Sequence, residues 1–215
     1  MPIPAPSSRA VAVEESETMR PVTLLIVTVL AATVATASCI GTPAPAQTLF
    51  VLPTTTPGGA APHAGTTGVQ SLGLGPVSVS SHLDQEYVAV RLEDTRYQYA
   101  DSMRWASPVA ILVAERLAEG LVWATGIREV RMFPWPASRA PALRVTARLV
   151  RFELAQEGTA DITAYWTFLD GGTGEQVNSG YFEHREPVQG ASAAAAVEAL
   201  DRALLHFANS LAGEL

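Results

Sequence analysis

From Ala142 to Leu154 the chain alternates. Leu143, Val145, Ala147 and Leu149 fall on one side, and Arg144, Thr146 and Arg148 on the other. A period of two marks a strand with one covered face. The phase slips at Val150, because Phe152 and not Arg151 is the next residue suited to burial, and the spacing predicts a bulge there. ADITAYWTFLD (160–170), set between a Glu157-Gly158 turn and Gly171-Gly172, and EQVNSGYFEHRE (175–186) follow as further strands of a meander. YVAVRLEDTRYQYA (87–100) alternates on both sides of Glu93-Asp94-Thr95, the pattern of a hairpin. VQSLGLGPVSVSSHL (69–83) places Leu72, Leu74, Val77 and Val79 around Gly75-Pro76, which predicts a strand with an interruption or an edge position. LFVL (49–52) is a short apolar run suited to a first strand, and IREVRMF after Gly126 alternates again.

The period changes in two places. In SPVAILVAERLAEGLVWATG, Ser107 is placed to cap free amides, Pro108 stands where its missing N–H costs nothing, and Gly126 suits a left-handed terminus. This predicts a helix of about 18 residues. Val109, Val113, Leu117, Leu121 and Ala124 share one face, with Glu115 and Glu119 on another. A last helix starts near Ala191, and Val197, Leu200, Leu204, Phe207 and Leu211 make one apolar stripe along it. The order predicts an α+β fold, a mostly antiparallel β-sheet with two helices packed on one face.

The N-terminal pattern is different in kind. Val22 to Ser38 is apolar or small and uncharged, with Arg20 just before it and the only cysteine, Cys39, just after. A positive residue, an apolar stretch and small residues before a cleavage point describe an export signal. TASC resembles a bacterial lipobox, which implies cleavage before Cys39 and acylation of its thiol and new amino terminus. The alternative is a secreted protein with one small buried Cys. Glu14, Glu15 and Glu17 do not suit an n-region, so Met19 is inferred as the true start. Residues 1–38 are thus an extension and signal peptide, 39–48 a lipidated tether and 49–215 one domain. The tether after Cys39, residues 40–48, spans about 30 Å when fully extended. The Pro/Gly/Thr-rich segment 53–68 predicts a mobile loop.

Charge narrows the chemistry. The formal net charge is -7 and there is no lysine. That excludes a P-loop lysine and a Schiff-base lysine, and the acidic balance argues against a nucleic-acid partner. His63, His82, His184 and His206 lie far apart without metal-ligand spacing, so no metal is expected, and His184 reads as a half-buried strand histidine. Neither a GxSxG elbow nor an HExxH motif is present, and an enzyme is not expected. In RMFPWP, two prolines that cannot donate ladder hydrogen bonds put Phe133 and Trp135 at a strand end or edge. There the rings either plug the domain or are offered to a partner or a lipid. Trp105, just before the first helix, is either a staple-like packing residue that fixes the helix entry or part of the surface offered to a partner or a lipid.

Taken in order, Cys39, FVL, LGLGPVSVSSHLDQEYVAVR, YQYADSMRWASP, RMFPWP, LRVTARLVRF, AYWTF and ALLHFANSLAGEL resemble the ABC-type transport auxiliary lipoproteins, the PqiC-like family. The resemblance implies a lipid-anchored periplasmic accessory subunit that works with MCE-domain proteins and an ABC permease and ATPase in lipid transport between the two membranes. It implies docking without catalysis, no cofactor beyond the covalent lipid on Cys39, and room for lipid binding and homo-oligomers. Ile40 after the cysteine favours the outer membrane. The competing reading is a structural lipoprotein that assists envelope assembly without handling lipid.

Overall fold

The computed structural model describes residues 48–54 and 68–215. Its centre is a strand of 13 residues, Leu143–Ala155, here β6. The other strands are β1 (Leu49–Phe50), β2 (Leu72–Val79), β3 (Tyr87–Glu93), β4 (Arg96–Trp105), β5 (Val130–Met132), β7 (Thr159–Asp170) and β8 (Gln176–Pro187). Helices α1 (Val109–Thr125) and α2 (Ala193–Gly213) complete the described residues, with a single 3-10 turn at Ala137–Arg139.

All eight described strands form one sheet. Along one edge β6 pairs antiparallel with β7 from Leu143↔Asp170 to Ala155↔Thr159, and β7 pairs in turn with β8. The opposite edge is shared. Its first half lies parallel to β2, from Leu72↔Leu143 to Val79↔Leu149, and its end lies parallel to β3 at Val90↔Leu154 and Arg91↔Ala155. The sheet therefore forks, with β5 beyond β2 on one branch and β4 and β1 beyond β3 on the other. The meander, the β3–β4 hairpin and the α+β class follow the alternation. The parallel pairings of β2 with β5 and β6 do not, because local periodicity carries no register between distant segments.

The phase slip at Val150 is a bulge: the register to β7 shifts between Leu149 and Arg151. Val145, Ala147 and Leu149 enter the core before it, and Phe152 and Leu154 after it. Without the extra residue the second group would turn outward. In β2, Gly75 and Pro76 together oppose the single Thr146 of β6, so β2 likewise carries one extra residue between Leu74 and Val77.

Both helices cover the core side, α1 over β2 and β5, α2 over β6, β7 and β8. Ser192 caps α2 by accepting from the Ala195 N–H at 3.1 Å, and Val197, Leu200, Leu204, Phe207 and Leu211 are all buried as the stripe predicts. The start of α1 differs from expectation. Pro108 is the N-cap and Ser107 makes no cap; instead Asp84 Oδ1, from the turn after β2, accepts from the Ala110 N–H at 3.3 Å. The two helices touch at small residues, since a Cβ added to Gly120 would lie 2.8 Å from that of Ala208. Beside that crossing Arg116 and Asp201 form a two-point ion pair at 2.5 and 3.0 Å, both side chains buried.

A second buried ion cluster joins the fork to the meander. Arg91 donates to Glu153 Oε1 at 2.9 Å and to Asp161 Oδ2 at 2.6 Å. Burial pushes the Glu153 carboxyl above its ordinary value, outweighing the hydrogen bonds from Arg91 and Tyr97.

Two outcomes follow from this packing. Leu204→Ala should cost about 2–5 kcal/mol in a denaturant melt, the range for a buried leucine, and an effect under about 0.5 kcal/mol would place the stripe elsewhere. Asp201→Ala leaves a buried guanidinium short of its main partner and should cost about 3–5 kcal/mol. Glu119→Ala, which removes the more exposed partner of the same Arg116, should cost under about 1 kcal/mol in the same assay.

Candidate functional site

The end of α1 aims the short strand that builds the site. Gly126 adopts φ 71°, a left-handed conformation that costs a glycine nothing, and its N–H returns to Val122 O. Thr125 Oγ1 donates to Leu121 O at 2.6 Å and accepts from the Ile127 N–H at 3.0 Å. The chain leaves this turn as β5, parallel to β2 at Leu72↔Val130, Gly73↔Arg131 and Leu74↔Met132. Phe133 adds one more bond, its N–H to Leu74 O at 2.9 Å. Pro134 has no N–H to continue the ladder, so pairing stops where the two prolines predict.

The rings of FPWP lie against glycine. A Cβ on Gly73 would fall 2.9 Å from the Trp135 indole and 2.3 Å from the Pro141 ring, and one on Gly75, itself at φ 120°, would fall 2.7 Å from Phe133 Cβ. LGLGP is therefore a side-chain-free surface on which this loop is laid, a close approach that glycine inside a strand signals. The two aromatics meet edge to face with centroids 5.5 Å apart. They divide the roles between them: Trp135 is half-buried over Gly73, while Phe133 remains 53% exposed. Arg131 donates to Arg139 O and pairs with Glu129, which fixes the loop after the rings.

Val130 and Met132 alternate with Arg131 and Phe133 and turn toward α1. They form one wall of a groove of about 570 Å³, completed by Val51 and Leu52 after β1 and by Leu112 and Val122 of α1. Glu115 and Glu119 put acidic groups at its margin, and Arg116 there is already held by Asp201. The size falls in the usual range for ligand pockets, about 300–1,000 Å³, and the lining is mainly apolar. Such a groove can take an acyl chain or the apolar side chains of a partner. Among the described residues that line it there is no histidine.

Trp105 takes no part in this surface. It is buried, stacked on Phe152 with centroids 6.3 Å apart, and its backbone N–H donates to Glu86 O at 2.7 Å. Trp105 is thus packed into the core, whereas Phe133 stands exposed at the margin of the sheet. Cys39 and the loop segment 55–67 lie outside the described residues. The fold also brings together what the sequence keeps apart, since His184 of β8 and His206 of α2 stand with ring centroids 4.3 Å apart. Only the pairing of a strand with a helix by tertiary packing shows this; no spacing in the sequence does.

The chain is similar in fold to solved structures of low identity. One, an uncharacterised protein, has a TM-score of 0.62 at 16% identity, with 78% of this chain and 97% of that chain covered. Another, protein XCC0632 from Xanthomonas campestris, has a TM-score of 0.57 at 19% identity, with 67% and 82% covered. No curated protein matches the sequence. A family model described as the ABC-type transport auxiliary lipoprotein component matches residues 50–212, from β1 to the end of α2, so the groove and the FPWP loop lie inside the matched span. The chain belongs to the ABC-type transport auxiliary lipoprotein family.

Proposed function

We propose that the protein is a lipid-anchored periplasmic accessory subunit of an MCE/ABC-type lipid transport system between the inner and outer membranes. It acts by docking, with no catalysis of its own. The observation that carries this reading is the end of β5, where the ladder terminates with Phe133 exposed on one face and Met132 walling the apolar groove on the other. Interface hot spots centre on such aromatic anchors. The groove is the place for a partner's apolar residues, and lipid contact is the lesser use.

The anchor is Cys39, and Ile40 after it favours the periplasmic face of the outer membrane. Two or three acyl chains hold a protein on a membrane far more firmly than one. A tether of about 30 Å keeps the domain beside that membrane. Carriage of lipid across the periplasm then falls to the partners. Capture of the intact lipoprotein from membranes, with mass spectrometry of proteins and lipids, should recover MCE-domain and ABC permease and ATPase subunits. Recovery of envelope-assembly proteins alone would favour the structural reading.

Phe133→Ala should leave the melting curve within about 0.5 kcal/mol of wild type, as surface changes do, and weaken capture of those subunits. Trp135→Ala removes the ring seated on Gly73 and should cost about 1–3 kcal/mol of stability. A Phe133→Ala protein that captures its partners normally would refute docking through this loop. Cys39→Ala should abolish the lipidated form; a variant that still fractionates with membranes at high salt and keeps a diacylglyceryl mass would refute the anchor.

A further inference from the structure

His184 and Glu186 are two residues apart on β8 and so project to the same face. Arg202 and His206 are four apart on α2 and share a helix face above them. His184 Nε2 lies 3.2 Å from Glu186 Oε2, and His206 Nε2 lies 3.7 Å from the same oxygen. One ligand atom from each of these three residues falls within 4.8 Å of the other two. The second carboxylate oxygen is already engaged: Arg202 Nε donates to Oε1 at 2.8 Å and its Nη2 to Pro187 O at 3.1 Å. Arg202 thus orients the carboxylate and leaves Oε2 to the two imidazoles. Phe182 stacks on His184 and in turn meets Phe207, which fixes the His184 ring from behind.

A proton explains only part of this geometry. The 3.2 Å contact is a weak hydrogen bond, and the 3.7 Å contact is beyond hydrogen-bond range. A tetrahedral ion with arms of about 2.0–2.1 Å to nitrogen and oxygen has ligand–ligand edges of about 3.3–3.4 Å. The two measured distances bracket that edge. Two imidazoles with one carboxylate is a donor set that suits Zn²⁺ and its first-row neighbours.

We propose that His184, Glu186 and His206 form a binding site for a divalent first-row cation of the zinc class, with three protein ligands and a fourth position open. The opening is on the side of His206, whose side chain is 54% exposed. With a dication bound, the Glu186 charge offset by Arg202 leaves the site net positive. The open position therefore favours an anionic fourth ligand, such as a carboxylate or phosphate, over a neutral one.

The test uses the full chain, extracted in mild detergent, purified without a polyhistidine tag and stripped with EDTA. Calorimetric titration with Zn²⁺ alone should give one saturable site per chain, and Co²⁺ in its place should give the intense visible absorption of a four-coordinate ion. His184→Ala and His206→Ala should each weaken binding by about 100-fold or more, beyond the 10- to 100-fold cost of outer-shell changes. His82→Ala should leave binding unchanged. Melting in EDTA checks that each variant is folded; should His184→Ala fail, the exposed His206→Gln decides alone. Absence of saturable Zn²⁺ binding in the wild type, or unchanged affinity in the His206 variants, would overturn the proposal.

Discussion

One strand has to satisfy more neighbours than a strand usually has. β6 runs through the middle of the sheet with β7 along one edge and both β2 and β3 along the other. Buried backbone groups must be paired. The handover along β6 from its pairing with β2, whose last partner is Leu149, to its pairing with β3, whose first partner is Leu154, is therefore the critical point of the fold. The bulge at Val150 sits there and restores the facing of Phe152 and Leu154 after the interruption. The Ser80 N–H continues to Leu149 O at 3.0 Å, so the turn after β2 takes over where the strand stops. That turn also supplies Asp84 to the start of α1. The bulge, the fork and the turn that reaches the start of α1 thus meet at this handover.

Buried charge reinforces the same geometry at two levels. Arg116 and Asp201 tie the helices where Gly120 and Ala208 let them approach, and Arg91 ties β3 to β6 and β7 through Glu153 and Asp161. Ion pairs of this kind gain little net stability over apolar packing, but they are costly to leave half-made. Their effect is to penalise alternative registers: a slip of β3 by one residue would turn Arg91 to the core and leave Glu153, buried on the other face, without its guanidinium partner.

Much of this was legible in the sequence because it is local. Alternation identifies β6, β7, β8 and the β3–β4 hairpin, the slip at Val150 identifies the bulge, and the spacing from Val197 to Leu211 identifies the buried face of α2. What escaped depends on contacts between distant segments. Ser107 has the chemistry of a cap, but Asp84 arrives from another element and takes the role. Phe133, Trp135 and Trp105 are alike in composition and context. They separate only when β2 offers a glycine surface to one side of the FPWP loop and Phe152 offers a ring to Trp105. His184 and His206 meet because α2 lies along β8, a fact that no motif records.

The shortest strand has a mechanical consequence. β1 is two residues long and lies parallel to the end of β4, with Leu49↔Arg104 and Phe50↔Trp105 as its whole register. The Ala106 N–H to Phe50 O bond at 2.8 Å extends that attachment, and Leu52 just beyond is buried. Any pull that reaches the domain from its N-terminal side meets this clasp and its few bonds first. Behind it stand Trp105 on Phe152 and the start of α1, far more extensively packed. The clasp is thus a fuse. Under tension it parts before the core does, and because Val51 and Leu52 follow directly on β1, the groove loses that wall while the β2–β5 pairing stays in place.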